Sequence, residues 1–196
     1  ALSHWGQWQG MNYLRNIRNE LTRKRFEAHL QQRVITSGTA QQLKVNFLRG
    51  INELNMHLYG VKVNGDTGLD PMNQKHYAEL KPLLSLIKEV KKSYKGHEAY
   101  EIFEDSITIN ALPVGVYMIE LETAPTTTVS RQLFYVSDVR VLSQPLPNKQ
   151  VRYIAVNAIS GKPMPGTSLL LKFNRGRNET STSVTTNKQG VNLFVT

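Results

Sequence analysis

The sequence predicts an α+β fold in which helices and strands occupy separate parts of the chain. Residues 1–100 are expected to form a helical region, and residues 101–196 an antiparallel β-sandwich. Two observations support this division. The spacing of apolar residues changes from the helical period to strict alternation near residue 105. The first hundred residues carry 15 Lys/Arg against 8 Asp/Glu, whereas the remainder carries 9 against 7.

A first amphipathic helix is predicted near the start of the chain. Its apolar residues recur at spacings of three and four and share one stripe: Trp5, Trp8, Met11, Leu14, Ile17 and Leu21. Residues 34–38 interrupt the pattern. Three amphipathic helices in all would then form a small bundle.

The second and third helices are predicted from caps and spacing. Thr39 and Gln42 have the spacing of a capping box, and Gly60 would end the second helix. Asp70 before Pro71 suits the start of the third, with a kink at Pro82. The expected apolar stripes are Leu43, Phe47, Ile51, Leu54 and Leu58, then Tyr77, Leu80, Leu83, Leu84, Ile87, Val90 and Tyr94.

From residue 106 onward, short alternating runs separated by Gly, Pro and Asn turns predict strands. The runs are residues 107–112, 114–122, 132–142, 151–158, 168–173, 180–186 and 191–196. In the second run we expect Tyr117, Ile119 and Leu121 to face the core. The alternate row ends in Glu120 and Glu122, and burial of these carboxylates without partners would be costly.

In the fourth run the same reasoning points Ile154 and Val156 inward. Leu170 and Phe194 are expected to meet them across the core.

Four motifs in series resemble bacterial alpha-macroglobulins. Residues 112–117 (LPVGVY) are similar to the start of a strand in that family, and residues 133–139 (LFYVSDV) to a strand that leaves one domain and enters the next. Residues 161–166 (GKPMPG) and 186–194 (TNKQGVNLF) resemble its turn and hairpin motifs. The resemblance covers residues 105–196 and implies macroglobulin-like, immunoglobulin-like β-sandwich domains, with a possible boundary near residue 138.

The resemblance also implies a role. Such proteins are large, exported to the periplasm or cell surface, and entrap proteases. This segment would be a structural module without catalysis, in contact with neighbouring domains of the same chain and with proteases only through the whole protein. Related sandwiches also occur in surface adhesins and stalks, which are the alternative. A start at Ala1 rather than Met suggests a processed or excised piece.

Composition narrows the chemistry. The absence of cysteine excludes disulfides, thiolate metal sites and internal thioesters in this segment. We expect no cofactor, no metal and no catalytic residue. No apolar run reaches the roughly 20 residues of a membrane helix, so membrane attachment would need an anchor elsewhere.

Candidate metal and acid–base residues have weak patterns. The histidines lack metal-ligand spacing: His4, His29, His57, His76 and His97. Asn64, Asp66 and Asp70 faintly resemble a calcium loop, but Leu69 and Lys75 stand where Gly and Glu are required. The acidic neighbours Glu101, Glu104 and Asp105 could form an acid–base pair or a solvated linker.

The sequence contains two further candidate sites, a glycosylation sequon and a basic cluster. Residues 178–180 (NET) form a glycosylation sequon that matters only in a glycosylating host. A basic cluster could bind phosphates, but no nucleic-acid motif accompanies it, and a solvated face or a docking face for a neighbouring domain is favoured. Its members are Arg15, Arg18, Arg23, Lys24, Arg25 and Arg33.

Overall fold

A computed structural model of the chain describes residues 10–63, 65, 67–126, 128–175 and 178–195. Compact packing divides it into two units, Ala1–Val136 and Ser137–Thr196. Strands dominate both units. Within the described residues, no helix is long and apolar enough to cross a membrane.

The first unit is a sandwich of two sheets. Its strands are β1 (Arg25–Leu30), β2 (Val34–Ile35), β3 (Gln41–Arg49), β4 (Glu53–Val61), β5 (Leu84–Ser93), β6 (Phe103–Ile109), β7 (Gly115–Thr123) and β8 (Val129–Val136). One sheet has the order β1-β3-β6 and the other β2-β8-β7-β4-β5. All pairs are antiparallel except β2 with β8. β1 and β2, which are consecutive in the chain, therefore lie in different sheets.

The predicted helical region of residues 1–100 is wrong. The described residues contain only α1 (Met11–Thr22), α2 (Gln74–Leu80) and a 3-10 turn (Lys81–Leu83) before residue 101. Within the first predicted helix, Met11 to Leu21 are helical, and Trp5 and Trp8 lie outside the described residues. The second predicted helix is replaced by β3 and β4.

A β-bulge explains the misleading period in β3. Leu43 and Val45 are fully buried at the spacing of a strand. The pairing with β6 then shifts between Val45 and Leu48, and Phe47 has a φ of +54°. The extra residue brings Leu48 back to the core, so the apolar positions recur at three to four residues and mimic a helix.

The third predicted helix is much shorter in the structure than the sequence predicts, since α2 covers only Gln74–Leu80. Asn73, not Asp70, caps α2, and its side chain accepts from the N–H groups of Lys75 and His76. Pro82 lies in the 3-10 turn that leads into β5. The residues after it pair with β4 as a strand.

The main core lies between the two sheets. From β7 it includes Tyr117, Ile119 and Leu121, as the sequence predicts. The ring of Tyr117 stacks on Phe134 of β8 with centroids 5.4 Å apart. The same core includes Leu43, Val45 and Ile107 of the three-stranded sheet, so it joins the two sheets.

The opposite face of β7 is also buried, contrary to the prediction. Val116 and Met118 form a second cluster with Val61, Leu80 and Leu133. Val63, Leu69 and, from α2, Tyr77 pack against this cluster. Glu120 is only 7% exposed, so it is not the surface residue that the alternation indicates.

The second unit contains β9 (Val139–Leu146), β10 (Gln150–Asn157), β11 (Ser168–Arg175), β12 (Asn178–Thr185) and β13 (Val191–Val195). One sheet has the order β13-β10-β9, and β11 pairs with β12. The rings of Phe173 and Phe194 lie 5.6 Å apart and join the hairpin to this sheet.

The predicted orientation of β10 is wrong by one residue. Ala155 is fully buried, whereas Ile154 and Val156 on the other row are half-buried and Leu170 is 60% exposed. The N–H of Ala155 donates to Gly190 O over 2.8 Å. A Cβ at Gly190 would lie 2.8 Å from Ala155 O, so the close backbone approach of this segment to β10 requires glycine at position 190.

Burial on β7 predicts a contrast in stability. Ile119→Ala should lower the free energy of unfolding by about 2–5 kcal/mol, because Ile119 is fully buried. Ile87→Ala is the matched control: Ile87 is 51% exposed, and the loss should stay below about 1 kcal/mol. Urea denaturation followed by circular dichroism measures both. Equal losses for the two variants would contradict the burial of this face.

Candidate functional site

The four described histidines lie apart from one another. Among the described residues, no group of three or more His, Asp or Glu side chains is arranged to hold an ion. His4, Asn64 and Asp66 lie outside the described residues. Asp70 accepts from the N–H of Met72 over 2.9 Å, which makes it part of a turn.

The four described histidines have separate local partners. His29 Nε2 lies 3.7 Å from Glu27, and His57 Nε2 lies 3.9 Å from Glu89. His76 Nδ1 accepts from the N–H of Asp70 over 3.1 Å.

His97 stacks on Phe103 with ring centroids 3.9 Å apart, and its Nδ1 lies 3.0 Å from Glu101. Each of these histidines therefore has a local packing or hydrogen-bonding role.

The three acidic residues Glu101, Glu104 and Asp105 do not form a common site, because their surroundings differ. Glu101 binds His97, and Glu104 is exposed. Asp105 accepts from the Tyr94 hydroxyl over 2.8 Å and lies 3.1 Å from Lys92 Nζ. Because Lys92 is in β5 and Asp105 in β6, this Asp105 cluster ties the two sheets together along one side of the sandwich.

Contacts within the Asp105 cluster shift the pKa values of Asp105 and Tyr94. Burial by itself would raise the pKa of Asp105, but the Tyr94 hydroxyl, the Ser106 N–H and Lys92 outweigh it and hold that pKa below its usual value. Burial, reinforced by the hydrogen bond to Asp105, raises the pKa of Tyr94 well above its usual value.

A second polar cluster lies under α2. Glu120 in β7 pairs with Arg131 in β8, and the Arg131 guanidinium lies 3.7 Å from the ring centroid of Tyr77 in α2. Burial raises the pKa of Tyr77, and the nearby Glu120 carboxylate raises it further. This Glu120 cluster fixes α2 to the sheet. Tyr77 is distant in sequence from the cross-strand pair of Glu120 and Arg131, so sequence spacing gives no sign of the complete cluster.

The outer edge of β8 is the most accessible candidate site. Among the described residues, β2 pairs with β8 only at Tyr135 and Val136. The N–H of Tyr135 donates outward to Arg33 O over 2.8 Å, so the odd-numbered residues of β8 point their backbone groups away from β7. At Arg131 the outward N–H reaches the thioether of Met72, 3.1 Å away.

Two depressions follow this edge and together form the β8 edge groove. One, of about 490 Å³, is lined by Leu30, Arg33, residues 68–71 and residues 131–133. The other, of about 780 Å³, is lined by Glu20, residues 23–26, Arg49, Thr128 and Val129. β1 and β8 form opposite walls of both.

The groove collects part of the predicted basic cluster. Arg23, Lys24, Arg25 and Arg33 line it, whereas Arg15 and Arg18 lie on α1. Arg49 and Arg131 also line it, but the sequence does not predict their presence there, because they are distant in sequence from the cluster.

The side chains of Asn178 and Glu179 in the sequon lie outside the described residues.

Comparison with known proteins gives no family. No family model and no curated protein matches the chain. Among solved structures, a fragment of Escherichia coli alpha-2-macroglobulin spanning domains MG0-NIE-MG1 is 10% identical with a TM-score of 0.43, over 86% of this chain and 60% of that one. The chain thus spans less than two thirds of that fragment.

Two other structures have lower scores. The class 5 fimbriae chaperone CfaA is 12% identical with a TM-score of 0.37, over 88% of this chain and 85% of that one. A superoxide reductase from Ignicoccus hospitalis is 9% identical with a TM-score of 0.33, over 57% and 80%. These are distant likenesses in chain fold.

The Glu120 cluster predicts a large effect of removing one partner. Glu120→Leu should cost about 3 kcal/mol of unfolding free energy, because it leaves the largely buried Arg131 without its carboxylate. The double variant Glu120→Leu/Arg131→Met should recover most of that loss, and Glu104→Leu is the exposed control. A double variant as unstable as the single one in urea denaturation would contradict the pairing.

The Asp105 cluster predicts a pH dependence. A lowered Asp105 pKa adds stability that is present above the ordinary Asp pKa of about 3.9 and disappears as the pH falls below it. A raised Tyr94 pKa adds stability that disappears as the pH rises above about 10. Tyr94→Phe should therefore cost about 1 kcal/mol at neutral pH and less at both extremes.

Urea denaturation across this pH range measures the difference, with Tyr100→Phe as the exposed control. A Tyr94→Phe loss that stays constant with pH would contradict the assignment.

Proposed function

We propose that the chain is a non-catalytic structural and interaction module of a larger exported protein of the bacterial alpha-macroglobulin type, which inhibits proteases by entrapping them. The module would contribute sandwich units and contacts to neighbouring domains. A module of a surface adhesin or stalk is the alternative. No cofactor, metal or nucleic acid is part of the proposal.

The observation that carries the proposal is the position of residues 133–139. This segment resembles the strand that joins two macroglobulin-like domains, and it runs from β8 directly into β9. The two compact units divide inside it, between Val136 and Ser137. A continuous strand connection of this kind suits a chain of successive sandwiches.

The first of the other motifs also has a defined local role. Residues 112–117 start β7, and the Tyr117 hydroxyl donates to Pro113 O over 2.8 Å across the bend. A Cβ at Gly115 would lie 3.3 Å from that hydroxyl oxygen, so a small residue suits the position. The motif therefore fixes the start of the central strand.

The last two motifs pack against each other in the second unit. The Thr186 hydroxyl donates to Met164 O over 2.8 Å. Asn187 Oδ1 accepts from the N–H groups of Gln189 and Val191 over 2.9 and 3.0 Å and closes the turn before β13. This contact supports treating the motifs as parts of one type of domain.

Purification of the native protein with antibodies against residues 1–196 tests the proposal. We expect a much longer chain that, mixed with trypsin, abolishes cleavage of casein while leaving cleavage of a small chromogenic amide. Residues 1–196 alone should neither inhibit nor cleave. Equal effects on both substrates, or a native protein of short tandem sandwiches with a cell-wall sorting signal, would contradict the proposal and favour the adhesin.

A further inference from the structure

The two lateral sides of the first sandwich differ. On one side the Asp105 cluster links β5 to β6. The outer edge of β5 is also protected: its pairing with β4 contains a bulge at Ile87, and Lys88, Lys91 and Lys92 line the strand. Bulges and lysines are the devices that prevent a strand edge from pairing with another chain.

The outer edge of β8 has neither device. No bulge is present in its pairing with β7, and residues 129–133 contain one charged residue, Arg131, whose side chain is held by Glu120. At Arg131 the outward N–H meets a thioether, which is a weak acceptor on a flexible side chain that is 53% exposed. Met72 can therefore be displaced by a stronger acceptor, such as a peptide carbonyl.

We infer that the β8 edge groove binds an extended acidic peptide segment, which adds to β8 as a further strand along residues 129–133. The outward backbone groups of Val129, Arg131 and Leu133 supply the main-chain hydrogen bonds. Five strand residues span roughly 17 Å, enough for a short linear segment.

The walls of the groove specify alternating side chains in the occupant. Along a strand, successive side chains point to opposite faces. On one face the peptide meets Phe26 and Leu30 of β1 and Gln132, whose buried amide nitrogen has no hydrogen-bond partner within the described part of the chain. Small apolar side chains fit this face.

The charge of the groove favours acidic residues in the occupant near the Val129 end. Arg131 is neutralised by Glu120 and Arg25 by Glu27, but Arg23, Lys24 and Arg49 remain near the Val129 end. The acidic lining residues are Glu20 and Asp70. The balance is positive, as in the whole chain, whose net charge is +9.

Fluorescence polarisation with the 196-residue chain tests the inference. The probe is a labelled peptide of about seven residues in which valine alternates with glutamate, a length that covers the edge. We expect saturable binding that weakens with salt. A peptide with lysine in place of glutamate, and one N-methylated at alternate backbone amides, should each bind at least about tenfold more weakly.

Two protein variants separate docking on β8 from charge attraction alone. Arg23→Glu/Lys24→Glu should weaken binding at least about tenfold, whereas Lys91→Glu/Lys95→Glu, with the same change in net charge, should leave it within about twofold. Met72→Ala should strengthen binding, because it removes the group that covers the Arg131 N–H. Circular dichroism confirms that each variant is folded.

Several results would overturn the inference. They are the absence of binding, equal binding of the N-methylated peptide, equal losses in the two charge-reversal variants, or weaker binding by Met72→Ala. Absence of peptide binding together with self-association in analytical ultracentrifugation that Arg23→Glu/Lys24→Glu abolishes would assign the edge to a second copy of the chain instead.

Discussion

Burial of β7 on both faces is the constraint on which the first unit depends. Tyr117, Ile119 and Leu121 pack between the sheets, while Val116 and Met118 pack under the cap formed by Val63, Leu69 and α2. A carboxylate in the second row would be costly there, so Glu120 requires Arg131 from the neighbouring strand. Because Tyr77 stacks on Arg131, the same pair also positions the cap.

The same constraint explains how far the sequence predicts the fold. Alternation identifies the strands after residue 106 and the inner row of β7, because one face of that strand is uniformly apolar. It fails on the other row, since a buried ion pair looks like a solvent-facing residue until its partner is known. Before residue 100, the register shift near Phe47 adds one residue between buried positions of β3. The apolar residues of this strand therefore recur at three to four residues, which is the spacing typical of a helix.

The candidate groove could be predicted only in part. Arg23, Lys24, Arg25 and Arg33 are close in sequence and form a recognisable basic cluster, but the sequence predicts for it only a solvated face or a docking face for a neighbouring domain. β1 lies in one sheet and β2 in the other, which brings these residues to Arg49. For the same reason no described strand pairs with the outer edge of residues 129–133. A short β2 leaves β8 covered at one end only, so the groove and the sandwich topology have a common origin.

Residue-resolved amide hydrogen exchange on the free chain tests the central claim most directly, namely that β7 is enclosed while the outer edge of β8 is available. The account predicts the slowest exchange for Met118 to Leu121, slow exchange for Ser130 and Gln132, whose N–H groups point to β7, and exchange at least about tenfold faster for Val129 and Arg131. Equal protection of Arg131 and Gln132 would show that the edge is already paired and would contradict the account.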